Sequence, residues 1–236
     1  MPTLIAIETS TENCSAALLR NGAIIERSEF APRRHAELIL PMLESLLNEA
    51  GLSRRQLDAI AVGRGPGAFT GVRLAISVAQ GIALGLDIPV VPISSLAALA
   101  HDTPADIGEA ILATIDARMG EVYAGAFRRN VDGLVEPIGA ESVSPAGMVV
   151  VPKSTRGQSE EWFVVGSGWG AYQGALAARL PGPLRWADGA RCPQARAVAM
   201  LAAPQFATGH GVAPEFALPV YLRDKVALTL DEQRAR

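Results

Sequence analysis

IAIETSTENCSAALL (residues 5–19) and ATIDARMGEVYAGAF (residues 113–127) carry the same layout. Each is an apolar strand, a short polar turn and a second apolar strand. In each, the first strand ends in an acid, Glu8 or Asp116. The copies lie about half a chain apart, which predicts two related α/β halves. The likeness is one of pattern, not of residue identity.

Around the first copy, TLIAI, CSAALL and AIIERSEF (residues 23–30) are joined by short Asn- and Gly-bearing turns, as in an antiparallel meander. Residues 35–50 space their leucines and isoleucine three and four apart, the period of a helix, and Gly51 is its stop signal. LDAIAVG (57–63) predicts a strand, GRGPGAFTG (63–71) a glycine-rich turn, residues 72–86 a second helix and IPVVPIS (88–94) another strand. Ser94 or Ser95 can cap a short helix ending at His101. The pattern restarts with AILATID, the turn ARMG and EVYAGAF. Residues 133–161 are too broken by proline and glycine to read. WFVVG (162–166) predicts a strand, GSGWGAY opens a helix running to Leu180, and GPLRWADG (182–189) reads as loop. Residues 194–207 predict a helix whose end Pro204 breaks. PVYLRDKVAL (219–228) lies near the C-terminus, where fraying is expected.

The chain has 236 residues, 49% hydrophobic and 19% charged, which excludes intrinsic disorder and is enough for a sizeable core without staples. The longest apolar run, residues 72–86, is interrupted by Arg73, Ser77, Gln80, Gly81 and Gly85. It falls short of the ~18 unbroken apolar residues of a membrane span. No basic, apolar leader opens the sequence, so a cytoplasmic protein with no membrane contact is expected. Net charge is −3. The pairs Arg33–Arg34, Arg54–Arg55 and Arg128–Arg129 read as solvated loop arginines. Any RNA contact is then expected to come mostly through another chain, because stand-alone nucleic-acid binders carry a basic excess. Cys14 and Cys192 are expected as free thiols, Cys14 on a buried strand.

Three segments could carry chemistry. In Glu8-Thr9-Ser10-Thr11, a carboxylate at a strand end followed by hydroxyls could position Mg-phosphate, with Asp116 its equivalent in the second half. The alternative is a polar β-turn that satisfies its own backbone. The glycine turn 63–71 could offer backbone N–H groups to an anion, or could be a tight strand-to-helix connection; no lysine follows its last glycine, so it is not a Walker loop. Gly166 and Gly168, in GSGWG, could let a flat ring approach the backbone, or simply make a turn. Metal chemistry lacks support: His35, His101 and His210 have no ligand partner at helical spacing. GxSxG does not occur, so a nucleophile elbow is unsupported.

Leu38, Ile39, Leu40, Met42, Leu43, Leu46, Leu47 and Ala50 cover an arc of about 200° on the first helix, more than one core-facing stripe needs. The second helix is apolar almost all round. It carries small residues on two lines, Gly71–Ala75–Ala79–Ala83 and Ser77–Gly81–Gly85. Such lines let helix backbones approach closely. Either both helices are buried between layers or they form a subunit interface.

IETSTENCSAAL, HAELILPMLESLL, GRGPGAFTGVRLAISVAQGIALG, SLAALA, IDARMGEVYAGAF and PVYLRDKVA together resemble the bacterial TsaB (YeaZ) family over nearly the whole chain. The resemblance implies a two-lobed actin/Hsp70/sugar-kinase-like (ribonuclease H-like) α/β fold with mixed sheets flanked by helices. It divides the chain at 1–105 and 106–236, with the tail from about 212 returning to the first lobe. It implies a non-catalytic subunit that pairs with TsaD, which transfers a threonylcarbamoyl group to the adenosine next to the tRNA anticodon. TsaE joins that assembly, TsaC makes the adenylate, self-association to a dimer occurs, and tRNA is met only through the complex. The pairing surface falls on the two helices, here at Leu38, Ile39, Met42, Leu43, Leu46, Val72, Ala75, Ile76, Ala79 and Ala83. Glu8, Ser10, Thr11, Asp116, Gly166 and Gly168 would be a vestigial nucleotide site. No cofactor is expected of this chain, with ATP or ADP at most at the shared interface. TsaD carries paired metal-binding histidines on the first helix; here His35 stands alone, so no metal is expected. The rival readings are a nucleotide-dependent phosphotransferase or ATPase built on Glu8 and Asp116, and a peptidase.

Overall fold

The computed structural model describes residues 2–153 and 160–223. The meander forms as expected: β1 (Leu4–Glu8), β2 (Asn13–Arg20) and β3 (Ala23–Phe30) pair antiparallel. Asn21 and Gly22 both take positive φ, 52° and 82°, as a two-residue hairpin turn requires. After α1 (His35–Glu49), β4 (Ala59–Gly63) adds parallel to β1. After α2 (Phe69–Leu86), β5 (Val90–Ile93) completes the order β3-β2-β1-β4-β5. Helix α3 (Ser95–His101) follows, capped by Ser94, whose Oγ accepts from the Ala97 N–H at 3.1 Å. Helix α2 starts three residues before the expected Val72 and so absorbs the end of the glycine turn.

The second sheet repeats the plan. β6 (Ala110–Arg118) and β7 (Glu121–Arg129) form the hairpin. β8 (Val135–Pro137) and β9 (Ser142–Pro145), from the unreadable stretch, pair with opposite ends of β7. β10 (Trp162–Val165) runs parallel to β6. Helix α4 (Ser167–Ala177) leads to β11 (Leu184–Asp188), parallel to β10. The order β11-β10-β6-β7-β8 repeats that of the first sheet, so the fold has the two mixed sheets flanked by helices that the resemblance implies. The expected loop at 182–189 is corrected: it holds an edge strand, whose exposed Leu184 and Arg185 hide the alternation that marks strands.

Helix α5 (Ala195–Ala207) follows, and Pro204 sits in its last turn without ending it. This helix packs on β1, β2 and β4 of the first sheet. The return to the first lobe therefore begins near residue 194, earlier than the expected 212. Burial explains it. Ala195, Val198, Ala199, Leu201 and Ala202 face the same core as Leu4, Ala6 and Ala17, and this core also takes in Leu99, Ile111, Phe127 and Phe163. Helices α3 and α5 thus form a layer between the sheets. Helices α1 and α2 cover the outer face of the first sheet, and α4 the outer face of the second through Trp169 and Leu176.

Candidate functional site

Glu8 ends β1 fully buried. Its Oε1 accepts the Ser10 N–H at 2.6 Å and its Oε2 the Ser95 hydroxyl at 2.7 Å. A Cβ on Gly63 would fall 2.0 Å from Oε2. Burial pushes the Glu8 carboxyl above its ordinary range, although the Ser10 and Ser95 hydrogen bonds pull the other way. Glu8 is walled in and cannot present an oxygen to a metal–phosphate. This corrects the phosphate reading; the turn satisfies its own backbone.

The glycine turn docks on that same turn. A Cβ on Gly67 would lie 2.3 Å from the Ser10 carbonyl oxygen, and one on Gly71 2.0 Å from that of Thr9. Thr9 Oγ1 donates to the Gly71 carbonyl at 2.7 Å, and the Ala68 N–H to the Ser10 carbonyl at 2.7 Å. The glycines admit backbone against backbone, and the Ala68 amide is spent on protein rather than held for an anion.

Gly166 and Gly168 are also corrected. A Cβ on Gly166 would stand 2.2 Å from the Thr114 carbonyl oxygen and one on Gly168 2.8 Å from Thr114 Cβ. They seat the start of α4 on β6, where Thr114 Oγ1 accepts the Trp169 N–H at 2.9 Å. No ring can enter there.

Ser10, Thr11 and Asp116 do meet, around a cavity of about 610 Å³ between the sheets. Asp116 Oδ1 accepts the Arg118 N–H at 2.8 Å and the Tyr172 hydroxyl at 3.3 Å. Arg118 also reaches Glu12 of the first lobe at 2.8 Å. The His35 ring lies 2.9 Å from the Thr11 carbonyl through Nε2, at the start of α1. Among the described residues no three His, Cys, Asp or Glu side chains converge. Arg128 and Arg129 are not solvated loop residues. They lie on β7, and Arg129 donates to the carbonyls of His101, Thr103 and Gly133, holding the crossover between the sheets.

A second concavity lies on the outer helices. Leu40, Leu43, Leu47, Leu57, Ile82 and Leu86 line a groove of about 510 Å³ between α1 and α2, with Glu44 and Arg54 paired at 3.6 Å on its rim. Gly81 and Gly85 border it with nothing within 4 Å of where a Cβ would stand. The expected pairing residues need correction. Ile39, Leu43, Leu46, Val72, Ala75, Ile76, Ala79 and Ala83 are buried in the chain's own core, and Leu38 and Met42 are half-buried against it. The Gly71–Ala75–Ala79–Ala83 line brings α2 close to its own sheet, not to a partner. The free side is the other line, Ser77–Gly81–Gly85, together with Leu40, which is 54% exposed, and Leu84, which is 73% exposed.

The family described as TsaD, tRNA N6-adenosine threonylcarbamoyltransferase, matches residues 27–228. The tRNA threonylcarbamoyladenosine biosynthesis protein TsaB of Escherichia coli K12 is 40% identical over 226 residues, 95% of this chain and 96% of that one. The protein of the same name from Haemophilus influenzae is 38% identical over 95% and 94%. The solved structure of YeaZ from Pseudomonas aeruginosa superposes with a TM-score of 0.84 at 44% identity, covering 94% of this chain and all of that one.

Proposed function

The chain belongs to the TsaB family of tRNA threonylcarbamoyladenosine biosynthesis proteins, and on that premise we propose that it acts as a non-catalytic subunit that pairs with TsaD through the α1–α2 groove. In that pairing it enables transfer of the threonylcarbamoyl group to the adenosine next to the tRNA anticodon.

The observation that carries this reading is the groove. It is apolar on both walls, bordered by Gly81 and Gly85, and open to solvent. Exposed Leu40 and half-buried Ile82 and Leu86, beside the bare backbone of Gly81 and Gly85, fit a docked helix, because a neighbour can approach where no Cβ stands. The TsaD family description matches this chain across both helices, so the proposed partner carries an equivalent helix pair and can meet like with like. A second copy of this chain would use the same face, which makes a homodimer and the TsaD pair mutually exclusive. The enclosure of Glu8 and the filled glycine turn support the non-catalytic half of the proposal. TsaE joining the pair, TsaC supplying the adenylate, tRNA contact through the complex and a cytoplasmic site follow from this reading.

Reconstitution tests it. TsaD, TsaE and TsaC with tRNA should give modified tRNA only when this chain is added, and this chain without TsaD should give none. Full modification in its absence, or modification without TsaD, would overturn the proposal.

A further inference from the structure

The chain leaves the first lobe by crossing the cavity between the sheets. Val212 pairs with Val90 on β5 at 2.9 and 2.8 Å, and Ala217 is buried under α2, its carbonyl accepting from Gln80 Nε2 at 3.2 Å. The Val220 N–H then donates to the Arg64 carbonyl at 2.9 Å. Tyr221 lays its ring 5.8 Å from that of Phe69 and accepts at its hydroxyl from Arg73 Nε at 2.6 Å. The Arg73 guanidinium sits 3.7 Å over the Phe69 ring. Two residues on, Arg223 reaches the other lobe. It donates to the Ala117 carbonyl at 2.9 Å and pairs with the Glu121 carboxylate, at the tip of the β6–β7 hairpin.

We propose that residues 220–223 form a strap that spans the cleft and holds the β6–β7 hairpin against the first lobe. Residues 220–223 are anchored on both sides and supply part of the cavity wall. Another ion pair crosses the cleft, Arg118–Glu12, but both of its side chains are well exposed, and such pairs hold little. Arg223 is mostly shielded, its side chain 19% exposed, and it satisfies a carbonyl and a carboxylate at once. Residues 220–223 thus tie the lobes together along one wall of the cavity that Ser10, Thr11 and Asp116 also line.

Hydrogen–deuterium exchange on the full chain tests this. Arg223→Glu should speed exchange of the hairpin amides around residues 117–121 about tenfold or more, while β1 and β4 stay protected. Glu121→Arg should do the same, and the two together should restore part of the protection, because the ion pair is remade in reverse while the bond to the Ala117 carbonyl is not. Tyr221→Ala removes the other anchor without touching a core residue and should loosen the same hairpin. Unchanged hairpin exchange in Arg223→Glu and Tyr221→Ala, or a double variant no better than the singles, would overturn the strap.

Discussion

Thr9 and Gly71 are in direct contact: Thr9 Oγ1 donates to the Gly71 carbonyl at 2.7 Å, and a Cβ on Gly71 would stand 2.0 Å from the Thr9 carbonyl oxygen. That contact leaves no room for a side chain between the two turns and fixes where α2 begins. Gly71→Ala should therefore destabilise the fold by about 2–3 kcal/mol, as overpacking of a tight contact does. Denaturant unfolding measures it, and an unchanged midpoint would contradict the contact.

Ala79 lies on the core side of α2, fully buried. Ala79→Arg should cost about 3–5 kcal/mol, since it forces an unpaired charge into a packed apolar layer. The expected result is loss of soluble protein or a sharply lowered melting temperature. A native-like variant with only its pairing impaired would instead put the Ala79 face on the outside.

His101 and Asp102, at the crossover between the sheets, titrate in opposite senses. Burial, with Arg129 and Arg196 nearby, lowers His101 from 6.5 to about 4. Burial, with Glu26 nearby, raises Asp102 from 3.8 to about 6. Between pH 4 and 6.5 the unfolded His101 binds more protons than the folded one, so its contribution to stability grows as pH rises. Between pH 3.8 and 6 the folded Asp102 binds more, so its contribution shrinks. The two slopes oppose each other in the wild type. Asp102→Asn should make stability climb more steeply from pH 4 to 6, and His101→Phe should make it fall. Parallel curves for both variants and the wild type would contradict these environments.

Much of the architecture is legible in local pattern. The period-two meander, the repeated strand–turn–strand, the Gly51 stop and the Ser94 cap all act through neighbours in sequence. What is not legible depends on contacts from far along the chain. Helix α2 is apolar on every side, so periodicity cannot tell which small-residue line meets the sheet; Val62 and Ile7 decide that by packing against it. The glycines at 63, 67 and 71 read equally as an anion cradle or a tight connection until the Glu8–Ser10 turn is placed against them. β11 escapes notice because an edge strand with Leu184 and Arg185 exposed lacks alternation. The Tyr221–Arg73 contact spans 148 positions, and nothing in PVYLRD announces it.

If TsaD docks in the α1–α2 groove, Gly81→Arg should block it. Nothing stands within 4 Å of a Cβ at Gly81, so the side chain can extend without a clash, and replacing a mid-helix glycine should cost no stability and can gain up to about 1 kcal/mol. The variant should melt at or above the wild-type temperature, yet bind TsaD at least about tenfold more weakly by calorimetric titration, because a long charged chain then occupies the groove. A stable Gly81→Arg variant that binds TsaD with wild-type affinity would place the TsaD contact elsewhere on the chain.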